Sequence, residues 1–296
     1  MTSADFASNR DNFCYRHPDR QSFVLCQRCL RTICGDCQTQ GPVGVVCPEC
    51  MKAQRKTQTP QQRRAGRAGG VLANTFGGRP PTVTTGIIGV TGLVGIAQMI
   101  PGVGSVVEQV LLFFAPFLYP ELSGVSQPWR VVTALFVHGG ILHFAMNMLA
   151  LYVIGRSLER MLGAWRFLAL YLIAGMGGSV AVALLAPLTP VVGASGAIFG
   201  LFGALLVIGR QLGADMRSIL VILGLNLAIG FLPGTNISWQ AHVGGLVVGA
   251  LVGLIFVRTR TKQRQWMQWL LLAGVVVLLA LVLVFAVPPL VWARLG

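Results

Sequence analysis

VVGASGAIFGLFGALLVIGR, residues 191–210, is the stretch on which the reading of this chain turns. It is apolar enough to enter a bilayer core, yet near its start it carries one serine, Ser195, flanked by Gly193, Ala194 and Gly196. Gly196, Gly200 and Gly203 recur at helical spacing and fall on one face. A second stretch, WQAHVGGLVVGALVGLIFVR at 239–258, has the same design, with Gly245, Gly249 and Gly253 in a row and one histidine, His242, near its start. Two faces lined with glycine let helix backbones approach closely in lipid. If both helices enter from the same side, Ser195 and His242 lie roughly one turn deep, at about 1.5 Å of rise per residue.

Working outward, the rest of the chain supports a membrane setting. Of its 296 residues, 54% are hydrophobic and only 11% are charged, which excludes an ordinary soluble domain. Seven apolar runs are expected to span, at 83–101, 139–158, 165–187, 193–210, 216–233, 239–257 and 267–289. The segment 102–130, broken by Pro and Gly, reads as a long, partly embedded loop. A net charge of +14 is compatible in principle with nucleic-acid binding, but the basic residues sit in short clusters between apolar runs, so no nucleic-acid partner is expected. With the amino terminus inside, sixteen of the 23 Lys and Arg fall in inside segments, and only Arg130 and Arg294 fall outside. That bias sets a cytoplasmic amino terminus for a multi-pass protein of the cell membrane, and no apolar leader opens the sequence.

Polar residues within apolar helices are costly unless they have a partner or a task. A lone membrane serine more often bonds back to a carbonyl, so the weight rests on its company. A Ser195 hydroxyl beside a His242 ring nitrogen pairs a nucleophile with a general base. No acidic residue falls at the right depth, since Glu108 and Glu121 lie in the loop and Glu159 and Asp215 lie at the opposite helix ends, so a dyad is expected. His143 and Asn147, at i and i+4 near the same surface, supply donors which with the Ser195 backbone N–H could hold an oxyanion. His138 is read as packing or capping the adjoining loop.

All seven cysteines lie in the first 50 residues, as Cys14-x2-His17, Cys26-x2-Cys29, Cys34-x2-Cys37 and Cys47-x2-Cys50. Four ligand pairs make two tetrahedral sites, and soft thiolates with one imidazole suit two structural Zn(II) ions. An odd cysteine number and a reducing compartment argue against disulfides.

Taken together, Trp129-Arg130, the His143-x3-Asn147 pair, Glu159 in GRSLERMLG, Gly193-Ala194-Ser195-Gly196 and Ala241-His242-Val243-Gly244-Gly245 resemble the rhomboid proteases. The resemblance implies an all-α membrane protein, a six-helix bundle at 81–265 with an additional transmembrane helix at 266–296. It also implies cleavage of transmembrane segments of other proteins near the outer face, with Ser195 as nucleophile, His242 as base, and His143 and Asn147 as oxyanion donors. Trp129 and Arg130 match a motif that structures the first loop, and Glu159 matches a glutamate that ties loop and helices together. Phe199 stands where some members place a tyrosine that stacks on the histidine. Gly193, Gly196, Gly245 and Gly249 are expected to be structural. At the other end, the alternating cysteine spacing resembles B-box fingers. That implies a cross-brace within 1–51, pairs one and three on one ion and pairs two and four on the other, although spacing alone leaves a sequential order open. A basic linker is expected at 52–80, and the head suits docking of a cytoplasmic protein. The competing reading is a proteolytically silent relative that binds client helices through the bilayer with the head as adaptor. A transporter would need midplane charges or a repeat, and neither is evident.

Overall fold

The computed structural model describes residues 10–40, 45–57, 81–230 and 237–295. Contacts divide the chain into two compact units, one ending at Ala73 and the other beginning at Asn74. The linker expected at 52–80 begins inside a helix that runs to Thr57, and from 58 onward it lies outside the described residues.

The head builds two small hairpins and a helix. Strand β1 (Phe13–Cys14) pairs antiparallel with β2 (His17–Gln21), β3 (Thr39–Gln40) with β4 (Val45–Val46), and helix α1 follows at Pro48–Thr57. Each hairpin or turn carries a ligand pair. The buried cluster consists of Cys14, Cys26, Cys34, Cys37 and Cys47 with only Ile33 and Val46 as other buried apolar members. A core this small is marginal against the chain entropy of ordering the domain.

The second unit is helical. Its elements are α2 (Thr82–Met99), α3 (Val103–Leu111), a 3-10 turn at Ala115–Leu118, the short α4 (Pro120–Ser123) and α5 (Arg130–Thr133), then α6 (Ile141–Leu162), α7 (Ala164–Leu185), α8 (Ser195–Gln211), α9 (Arg217–Gly230), α10 (Trp239–Arg258), α11 (Gln265–Leu281) and α12 (Val287–Leu295). A π-helical turn at Val282–Ala286 joins α11 to α12, making one seventh span of 31 residues. Among the described residues, five helices are long and apolar enough to cross a membrane, and α8 and α9 are shorter apolar helices. The chain is therefore a multi-pass membrane protein. End points differ by a few residues, for reasons visible in the backbone. Gly140 at φ +145° delays α6 to Ile141, and Gly102 at φ +80° turns the chain after α2. The expected end of the 216–233 helix lies outside the described residues. The 102–130 loop is more ordered than its Pro and Gly suggested, with short helices that fold back onto the bundle.

In lipid, helices gain little by hiding apolar surface from one another, so close packing must hold them. The interior is α8, clasped by α7 and α10. A Cβ at Gly245 would meet the Gly196 carbonyl oxygen at 1.9 Å, and one at Gly249 would meet the Gly200 oxygen at 2.1 Å. These backbones touch, and no other residue fits. By contrast, α9 buries only Leu223 among the described residues.

Candidate active site and metal centres

Ser195 opens α8. The preceding Val191 exchanges two backbone hydrogen bonds with Phe113 (3.0 and 2.8 Å), and the Gly193 N–H donates to the Ala134 carbonyl at 2.9 Å. These bonds fix the approach, and Gly193 at φ +121° makes the turn into the helix. As the first helical residue, Ser195 has a backbone N–H with no intrahelical acceptor, which leaves it available to an anion. On α10, the Ser238 hydroxyl caps the helix by accepting the Ala241 N–H at 3.3 Å, so His242 sits in the first turn. The Ala241 carbonyl oxygen would stand 3.3 Å from a Cβ at Gly196 and 2.9 Å from one at Gly178. The glycine contact thus sets the residues next to Ser195 and His242 against each other. The His242 ring is buried and stacks on Phe199 at 4.0 Å between centroids and 8° between planes. Its Nδ1 is buried with no hydrogen-bond partner, and no hydrogen bond joins the ring to the Ser195 hydroxyl.

His143 reaches the same place from α6. Its Nδ1 accepts the Gly139 N–H at 3.4 Å, which puts the ring proton on Nε2. A methyl group added at Gly193 would lie 2.9 Å from that Nε2 and 3.8 Å from Ser195 Oγ, so the imidazole donor and the hydroxyl face one small space. Asn147 is buried one turn further along, with its amide donating to the His143 carbonyl at 2.8 Å. One amide hydrogen is thereby used within the helix and the other is left. His138 lies before α6, its ring packed edge-on against His143 and Phe144. Its backbone N–H and carbonyl are both held by the Gln98 side chain, at 3.1 and 3.0 Å.

The remaining motif residues brace this arrangement. Arg130 is buried, donates to Gln127 Oε1 (2.6 Å) and the Leu112 carbonyl (2.8 Å), and lies over the Phe117 ring. Trp129 is half-exposed and donates to the Val110 carbonyl at 3.3 Å. Glu159 has a more specific task than its sequence suggested. Its carboxylate accepts the Val83 N–H (2.9 Å), the Thr84 N–H (2.7 Å) and the Thr84 hydroxyl (2.7 Å), capping the first turn of α2. Helix α2 starts after Pro81 and has no side-chain cap of its own, which was the one available hint of a distant cap.

In the head, the ligand atoms of Cys14, His17, Cys34 and Cys37 lie within 4.8 Å of one another, as do those of Cys26, Cys29, Cys47 and Cys50. Pairs one and three therefore meet, as do pairs two and four, the interleaved order implied by the B-box resemblance. The spacing fits a tetrahedral ion. With metal–sulfur bonds of about 2.3 Å and metal–nitrogen bonds of about 2.0 Å, edges of roughly 3.5 to 3.8 Å are expected. His17 Nδ1 stands 3.3, 3.5 and 3.8 Å from the sulfurs of Cys34, Cys37 and Cys14, and the Cys29 and Cys47 sulfurs are 3.7 Å apart. None of the seven cysteines is disulfide-bonded. Electrostatics point the same way. Burial opposes ionisation of Cys14 and Cys26, but backbone N–H groups, from Cys34 and Arg16 to the first and from Cys47 and Arg28 to the second, outweigh it and lower both to about 6. Burial and neighbouring thiols push Cys37 up to about 11 and Cys50 up to about 12. Each cluster thus holds an anion ready and a thiol that will ionise only against a cation.

Comparison with known proteins places these features in context. A family model described as Rhomboid domain matches residues 125–259. Rhomboid protease GluP of Bacillus subtilis (strain 168) is 42% identical over 137 residues, 44% of this chain and 26% of GluP. RHOMBOID-like protein 6, mitochondrial, of Arabidopsis thaliana is 40% identical over 137 residues, 44% of each protein. YdcA of Bacillus subtilis (strain 168), also named as a rhomboid, is 34% identical over 144 residues, 46% of this chain and 70% of YdcA. The chain thus spans under half the length of the first two relatives and most of the third.

Proposed function

This chain belongs to the rhomboid family, and from that premise we propose that it is an intramembrane serine endopeptidase. Ser195 attacks a carbonyl of a transmembrane substrate near the outer face, and His242 accepts its proton and returns it to the leaving amine. The developing oxyanion is held by the Ser195 N–H, His143 Nε2–H and the remaining Asn147 hydrogen. The observation that carries this reading is the convergence of His143 Nε2 and Ser195 Oγ on the space beside Gly193. The unpartnered His242 Nδ1 and the open Ser195–His242 pair suit a resting site, because catalytic hydrogen bonds often tighten only around a substrate.

The orientation in the cell membrane, with a cytoplasmic amino terminus, rests on the Lys and Arg bias. The head, with its boundary near residue 51, binds two zinc ions through the ligand sets above, and zinc supplies cross-links that a core of this size lacks. A cytoplasmic protein is its expected partner. A silent client-binding relative is the second reading, favoured by the missing Ser195–His242 bond. Quantitative proteomics of membranes carrying the intact protein or Ser195→Ala separates the two. The protease reading expects full-length single-span proteins to accumulate with the variant and their released ectodomains to vanish, whereas identical proteomes would support the silent reading.

A further inference from the structure

The seventh helix lies outside the matched rhomboid domain, and its π-helical turn has a definite partner. The Val287 N–H bonds back to the Val282 carbonyl, and Pro288, five residues after Leu283, has no N–H, so the Leu283 carbonyl is left without an intrahelical donor. Here the Leu283 carbonyl accepts the Tyr119 hydroxyl at 2.7 Å. Beyond the turn, Val287 and Val291 are fully buried in one cluster with Phe113, Ala115, Leu118, Val131 and Ala134. Phe113 is the residue bonded twice to Val191, and Ala134 accepts the Gly193 N–H. A continuous path of bonds and packed side chains therefore runs from the seventh helix to the backbone that enters Ser195.

Resting on the protease reading above, we propose that the seventh helix is a strut for the reaction loop, with Tyr119 as a positioning residue that locks the 113–119 segment to the π-turn and so holds Val191–Ser195 in register. Tyr119 touches no reacting atom. It acts through Phe113 and Val191.

Tyr119→Phe removes the hydroxyl and keeps the ring. In full-length protein in detergent or bilayers, the rate of fluorophosphonate labelling at Ser195 should fall about three- to tenfold, as expected for one part-buried hydrogen bond. Hydrogen exchange should quicken at 111–119 and 189–195 while the interiors of α7, α8 and α10 stay protected. Wild-type labelling, exchange unchanged at 189–195, or exchange raised throughout the bundle would each overturn the strut. If wild-type protein itself takes no label, the protease reading falls, and the exchange comparison, repeated in Ser195→Ala, still decides whether the strut exists.

Discussion

The head and the bundle solve one problem, holding a chain together without a conventional water-excluded core, by opposite means. The head concentrates its donors, so its buried cluster is largely ligand and its cohesion depends on charge. The bundle disperses its cohesion over glycine contacts, where backbone meets backbone and charge is nearly absent. The difference teaches where each is vulnerable. One is undone by removing an ion, the other by adding a methyl group.

Chelation should separate them most sharply. Metal binding to such a domain supplies on the order of 10 kcal/mol. A strong chelator should therefore abolish amide protection across residues 13–50 and leave the thermal midpoint of the bundle unchanged. Metal analysis should give two zinc ions per chain and one for Cys26→Ser; zero or one in the intact protein would break the account of the head. Within the bundle, Gly249→Val sets a branched side chain against the Gly200 backbone, where even a Cβ stands 2.1 Å from its oxygen. A loss of about 3 kcal/mol or more is expected, read as a lowered midpoint with zinc content intact. Glu159→Gln keeps the shape but loses the charge that caps α2, and should cost about 1 to 2 kcal/mol, with exchange quickened first at residues 82–86.

Acidity also probes the head. In the metal-free, unfolded head, ordinary thiols with pKa about 8.5 keep their protons at neutral pH, so the metal must displace them. Affinity should fall as pH falls, by about tenfold per unit for each proton released. Calorimetry in buffers of different ionisation heat counts those protons, and a pH-independent affinity would contradict this ligand set. The smallest effect is expected for Phe199→Leu, which removes the ring stacked on His242 and should cost about 1 kcal/mol, seen as slower labelling with little change in midpoint.

Much of this was legible in the sequence because its signals are local or periodic. Glycine at every third or fourth residue marked which faces of α8 and α10 touch, and the Cys-x2-His and Cys-x2-Cys spacings picked out the eight residues that gather in two clusters. What escaped was carried by single side chains reaching distant backbone. Glu159 caps residues 75 positions away, Gln98 clamps the backbone of His138, and Gln268 joins Arg166 (2.7 Å) to Thr259 (2.8 Å) at the base of the seventh helix. Such bonds have no period, whereas the π-turn at Val282–Ala286 did have a local signal, Pro288-Pro289, whose missing N–H groups break the hydrogen-bond ladder just before them.

The central claim is that Ser195 is a nucleophile activated by His242. Purified full-length protein treated with a fluorophosphonate, digested and mapped by mass spectrometry tests it most directly. The account predicts one adduct, on Ser195, abolished in Ser195→Ala and strongly reduced in His242→Ala, with both variants folded. An unlabelled wild-type protein that remains folded, or an adduct that persists in Ser195→Ala, would contradict it.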